Sequence, residues 1–208
     1  MRKINRNREP EFWIQYKHLH PGEQYADLRK SKDGSIIRRE IRRYLLQSQC
    51  GLCAYCCRKI EIDGSLNEHI KPQASYPKQS MNYDNLIVSC KTEGVDATCG
   101  ARKGNKFEEG LFVSPLQEDC EEKFVFYPNG QIEGVDEAGE YTSQVLNLNA
   151  YELQRARRAQ YKVCASYHDA GIVQSCFLVP TEDGQMEPFA DMVQYFYERG
   201  HFDIERSG

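Results

Sequence analysis

The sequence predicts an α+β fold, with a short strand–turn–strand–helix centre held by cysteines and helical extensions on both sides. Three observations carry this. Cys53 and Cys56 form a C-x-x-C pair, and Cys90 and Cys99 follow from a separate segment. Two thiol pairs converging from different segments can close a tetrahedral zinc site. Ile37, Ile41, Tyr44 and Leu45 form one stripe at helical spacing within residues 35–49. Beyond residue 111, a hairpin pattern precedes two helical ones.

A chain of 208 residues fits one domain, or a small core with additions. Hydrophobic content of 40% with 28% charged residues is ordinary for a soluble globular protein. No apolar run is long enough for a membrane helix. The basic start, Met1 to Arg8, lacks the apolar segment of a signal peptide, so the expected location is the cytoplasm. An odd count of nine cysteines without such a signal favours metal over disulfides. The net charge of −4 argues against binding nucleic acid by bulk electrostatics; phosphate contact requires local basic patches.

In chain order, residues 1–20 read as a basic arm anchored by Phe12, Trp13 and Tyr16. The helix over 35–49 carries Arg38, Arg39, Arg42 and Arg43, readable as a solvated face or as a phosphate contact. Cys50 to Cys57 is a tight turn; because Cys50-x-x-Cys53 is itself a C-x-x-C, the cysteine register stays open. Asp63-Gly64 signals a hairpin within residues 61–69. Residues 71–82 form a loop, residues 84–89 a short apolar approach to Cys90, and a helix opens after Cys99. Pro128-Asn129-Gly130 joins two further strands, between acidic runs at 118–122 and 136–140. Asn149 and Glu152 read as a capping box for a helix running to about Ala170 and stopped by Gly171. Arg155, Arg157 and Arg158 on it form a second basic cluster. A last helix spans 188–199, ended by Gly200. The expected division is 1–49 (arm and basic helix), 50–110 (core) and 111–208 (hairpin and helices), packed as one domain.

Between Cys53 and Asn105 the sequence reads Cys53-Ala-Tyr-Cys56, Glu68-His69-Ile70-Lys71-Pro72, Tyr83-Asp84-Asn85-Leu86, Cys90, and Cys99-Gly-Ala-Arg-Lys103-Gly104-Asn105. This series resembles the HNH endonuclease motif, the ββα-metal nuclease core. More narrowly, it resembles the prokaryotic defence branch with retron-associated and Septu PtuB-type nucleases. The resemblance selects Cys53, Cys56, Cys90 and Cys99 as ligands of a structural zinc. It implies that His69 takes the proton from the attacking water, a role suited to a group titrating near neutrality. Glu68 would hold a catalytic magnesium or manganese ion, and Asn85 would brace the loop that orients the histidine. Relatives place His or Asn directly after the last cysteine, as second metal ligand. Here that residue is Gly100, so Asn105 is the expected substitute, with Asp84 and Asp96 next. Lys71 and Lys103 join the four arginines as expected nucleic-acid contacts. The activity implied is phosphodiester hydrolysis, in DNA first and RNA as the alternative, by the effector of an anti-phage system with an ATPase partner of PtuA type. The competing expectation is a catalytically degenerate zinc module that binds nucleic acid or a partner.

Overall fold

The computed structural model describes residues 1–202. Its architecture is α+β: helices packed around two small antiparallel sheets. The N-terminal arm leads into α1 (Glu11–Leu19), whose Trp13 is fully buried and donates from its indole to Met81 O at 3.3 Å. Arg6, mostly buried, donates to the carbonyls of Tyr83 and Leu86. The arm is therefore clamped to the segment that enters the second strand. α2 (Lys32–Ser48) starts where Ser31 accepts from Gly34 N at 2.9 Å, an N-cap that satisfies one free amide. It buries Ile41, Leu45 and Leu46, which agrees with the stripe read from the sequence.

The central sheet pairs β1 (Ser65–His69) with β2 (Leu86–Cys90), in a register that sets Ser65 opposite Cys90 and His69 opposite Leu86. The hairpin expected within 61–69 does not form: β1 pairs with the distant β2 instead. The apolar, fully buried β2 is the better partner for β1. Gln49 fixes the arrangement, its buried amide donating to Leu52 O and Val88 O and accepting from Val88 N, each at 2.8 Å. α3 (Cys99–Lys103) follows as little more than one turn.

The Pro128–Gly130 turn joins β3 (Phe124–Phe126) to β4 (Ile132–Gly134), as expected. The acidic run at 136–140 opens a helix, α4 (Glu137–Leu146), with Asp136 capping Gly139 N at 2.9 Å. Carboxylates at a helix N-terminus complement its dipole. The capping box at Asn149 is replaced by a tertiary clamp. Asn149 accepts from Ile132 N at 3.0 Å and donates to Ile132 O at 2.7 Å, while α5 (Tyr151–Ala165) begins after Ala150 without a side-chain cap. α5 ends earlier than read, and Gly171 lies inside the short α6 (Ala170–Val173), which continues as a π-helical turn over Gln174–Leu178. Arg157 is not part of a basic surface: it is buried and donates to Gly130 O at 3.0 Å and Leu148 O at 2.7 Å. α7 (Ala190–Tyr197) buries Met192, Val193 and Phe196. One hydrophobic cluster runs from the arm through the central sheet to α7 and Phe202. Among the described residues no helix is long and apolar enough to cross a membrane.

Candidate metal centre and Glu68–His69 pocket

Four thiols meet at one end of the central sheet. The Sγ atoms of Cys53, Cys56, Cys90 and Cys99 all lie within 4.8 Å of one another, and all four residues are buried. Cys53 and Cys56 come from a turn closed by its own backbone, Cys53 N to Arg58 O at 2.9 Å and Cys57 N to Cys53 O at 3.0 Å. Cys90 ends β2, and its amide donates to Cys53 Sγ at 3.3 Å. Cys99 opens α3 at a positive φ of 56°. Burial, then the neighbouring thiols, push the Cys99 thiol well above the ordinary thiol range. Four thiolates can share such a place only around a cation, so the donor set fits zinc. Burial alone would lower the pKa of the half-buried Arg58, but the same thiol groups raise it, so its charge lies beside the cluster. Cys50 and Cys57 belong to a separate small cluster with Leu52, Met186 and Ala190, which settles the register.

The other end of the sheet carries the acid and the imidazole. Alternation along β1 directs Glu68 and His69 to opposite faces. On its face, Glu68 is the diagonal neighbour of Ser89 on β2, because Glu68 pairs with Ile87 and Leu66 with Ser89. α3 crosses this face. Lys103, one turn after Cys99, is 1% exposed and donates from Nζ to Glu68 Oε1 at 3.0 Å and to His69 O at 2.8 Å. Its ammonium also lies 5.5 Å from the Phe112 ring centre. Burial raises the Glu68 pKa, opposed by Lys103 and by the nearby Tyr55 hydroxyl. A side chain at Gly100 would put its Cβ 2.6 Å from both Glu68 Oε2 and Ser89 Oγ, so either would have to move to admit one.

On the opposite face, His69 is buried with its edge against Tyr25, ring centres 4.7 Å apart. Its Nε2 is 2.9 Å from Ser80 O, and its Nδ1 is 3.2 Å from the Gln73 side-chain amide. A carbonyl can only accept, so Nε2 carries the proton and Nδ1 the lone pair. Burial first, with help from the charges of Lys103 and Arg38, brings the His69 pKa down to about 4. The ring is therefore neutral near pH 7. Asn85 accepts from Lys71 N at 2.7 Å and donates to Lys71 O at 3.0 Å and Gln79 O at 3.1 Å. It thus ties together the two backbone segments next to His69 and Ser80.

The remaining expected site residues are dispersed. Asn105, Asp84 and Asp96 are exposed, with no side-chain bond to Glu68 or His69. Lys103 is enclosed rather than presented to solvent, because its ammonium neutralises Glu68. Lys71 is half-buried and pairs with Glu109 at 2.5 Å. Of the four arginines, Arg42 is turned inward, donating to Asn67 Oδ1 at 3.0 Å and Ile62 O at 3.1 Å. Arg39 pairs with Asp63 at 2.7 Å and Arg43 with Glu40. Arg38 lies 5.5 Å from the Tyr25 ring centre, on the His69 face, and its Nε has no partner. Tyr25, Gln73, Ser80 and Ser89 were not singled out by the sequence; each is unremarkable in its local context and acquires its role by tertiary contact.

No protein-family model matches the chain. A protein of Vibrio cholerae serotype O1 biovar El Tor named "Retron Vc95 putative HNH endonuclease" is 31% identical over 135 residues, covering 60% of this chain and 64% of its own. The Septu protein PtuB of Bacillus thuringiensis is 30% identical over 111 residues, covering 52% of this chain and 41% of its own. The matches thus span less than two thirds of either relative. Both names agree with the resemblance carried by the cysteine pairs and the Glu68-His69 step, and the chain is similar to these two proteins over 60% and 52% of its length.

Proposed function

We propose that the chain is a metal-dependent HNH endonuclease that hydrolyses phosphodiester bonds, with DNA as substrate, and that β1, β2 and α3 form its ββα-metal core. The observation that carries this reading is the state of His69: a neutral ring, its Nε2–H anchored on Ser80 O and its Nδ1 lone pair held only by a side-chain amide 3.2 Å away. Displacement of Gln73 by a water would place that water on a base. His69 Nδ1 then takes the water proton as the water oxygen attacks phosphorus, and the bond to the leaving oxygen breaks. The Ser80 carbonyl favours the imidazolium so formed, and Asn85 keeps that carbonyl in place. Magnesium or manganese held by Glu68 would neutralise the phosphate and the charge on the leaving oxygen. Arg38 supplies fixed positive charge on the His69 face.

Support for the biological role comes from the two relatives: by analogy, the chain acts as the effector of an anti-phage system beside an ATPase of PtuA type. The zinc-module reading draws on one observation, the Lys103 ammonium already bound to Glu68. Plasmid cleavage by the purified chain, alone and with the product of its neighbouring gene, compares wild type with His69→Ala. Cleavage lost in the variant supports the nuclease; cleavage unchanged overturns it in favour of the module. An RNA substrate in the same assay identifies the alternative target.

A further inference from the structure

The acidic position has one committed oxygen and one open one. Glu68 Oε1 holds Lys103, while Oε2 points to the space above Gly100. Ser89 Oγ borders the same space, 0% of Ser89 is exposed, and this hydroxyl has no hydrogen-bond partner. The buried Tyr55 hydroxyl lies close enough to the same carboxylate to lower its pKa. Buried hydroxyls without partners are rare, because each forfeits its solvation without compensation. One such hydroxyl, Ser89 Oγ, beside the Glu68 Oε2 that Lys103 leaves open gives a pair of hard oxygen donors, which suits a divalent ion completed by waters.

We propose that Ser89 supplies the oxygen donor that the missing side chain at position 100 cannot, so that Glu68 Oε2 and Ser89 Oγ together bind the divalent ion. This rests on the nuclease reading for its purpose. In this arrangement the second donor has moved from α3 to β2. Glycine at 100 is then the space-making partner of that move, since any Cβ there would collide with both oxygens. Asn105, Asp84 and Asp96, all exposed, are not required. Lys103 stays on Oε1 and offsets the carboxylate charge, which keeps the ion's affinity low.

The test is manganese binding to the full, zinc-loaded chain, read by the electron paramagnetic resonance of free Mn2+, with zinc content measured alongside. Wild type should bind one Mn2+ beyond the zinc, and Glu68→Gln should abolish it. Ser89→Ala should weaken it by about tenfold or more, the loss that even outer partners of metal sites bring. Ser89→Thr, which keeps the hydroxyl, should stay within about threefold of wild type. The proposal is overturned by a wild type that binds no Mn2+, by unchanged affinity in Ser89→Ala, or by equal losses in the alanine and threonine variants. Mn2+ binding that depends on Ser89 in a chain that cleaves nothing would sink the nuclease reading and leave this site standing.

Discussion

The four-cysteine cluster and the Glu68–His69 step are built on the same two-stranded sheet, yet they handle buried charge in opposite ways. At the cluster, like groups converge and only an added cation can balance them. In the pocket, charge is already balanced from within: Lys103 neutralises Glu68, and burial keeps His69 uncharged. α3 joins the two, with Cys99 at its first residue and Lys103 at its last. The contrast teaches that an ion held by the first region would be part of folding, whereas an ion in the second would be an optional addition to a finished structure.

The largest effect should come from breaking the cluster. Cys53→Ser or Cys99→Ser should lose zinc and unfold, because structural zinc binding of about 10–16 kcal/mol is coupled to folding. Zinc analysis with circular dichroism checks this; a folded, zinc-free variant would place the cluster's role with its buried thiols alone. In the pocket, His69→Ala should lower cleavage by about 100- to 10,000-fold, the usual worth of a general base. Because His69 is buried and bonded at both nitrogens, the same variant should also lose about 1–3 kcal/mol in urea unfolding, with zinc retained.

A smaller break concerns the pocket's internal balance. Lys103→Met leaves Glu68 buried without a partner and should cost about 3–5 kcal/mol. The double variant Lys103→Met/Glu68→Gln should regain most of that. Denaturant titration of the two variants decides it, and equal losses in both would mean that Lys103 acts through packing rather than charge. The most delicate test is pH. With a folded pKa lowered to about 4 against an ordinary value of about 6.5, the folded chain binds fewer protons at His69 than the unfolded one. Its contribution to stability is therefore complete above pH 6.5 and lost as the pH falls toward 4. An NMR titration of the His69 ring should show it neutral down to pH 5; titration near 6.5 would remove desolvation from the account.

The fold and the pocket were legible to different degrees. The helix over 35–49 was readable because its apolar spacing needs only local geometry. The hairpin at Pro128–Gly130 was readable because turn chemistry is local too. The element over 61–69 misled because Asp63-Gly64 is a local turn signal, and a buried partner strand from residues 86–90 overrode it. Asn149 failed as a cap for the same kind of reason: the backbone of Ile132 in β4 offered it two bonds in place of one. Arg42, Arg157 and Lys103 all looked like surface charge, because a sequence shows a basic residue without showing which carbonyl or carboxylate it meets.

By itself, the sequence determined the chemical inventory: the thiols, the adjacent acid and imidazole, the bracing Asn85, and the glycine where a side chain was expected. The thiols and the acid–imidazole step follow from residue type and spacing; the bracing role of Asn85 and the side chain expected at position 100 follow from the resemblance to HNH nucleases. The tertiary structure alone decided which histidine nitrogen keeps its lone pair, that Lys103 belongs to Glu68, and that Ser89 faces the space above Gly100, and it brought together the four cysteines that the resemblance had selected. Each of those depends on strand register and burial, which bring together residues far apart in the chain and strip them of water.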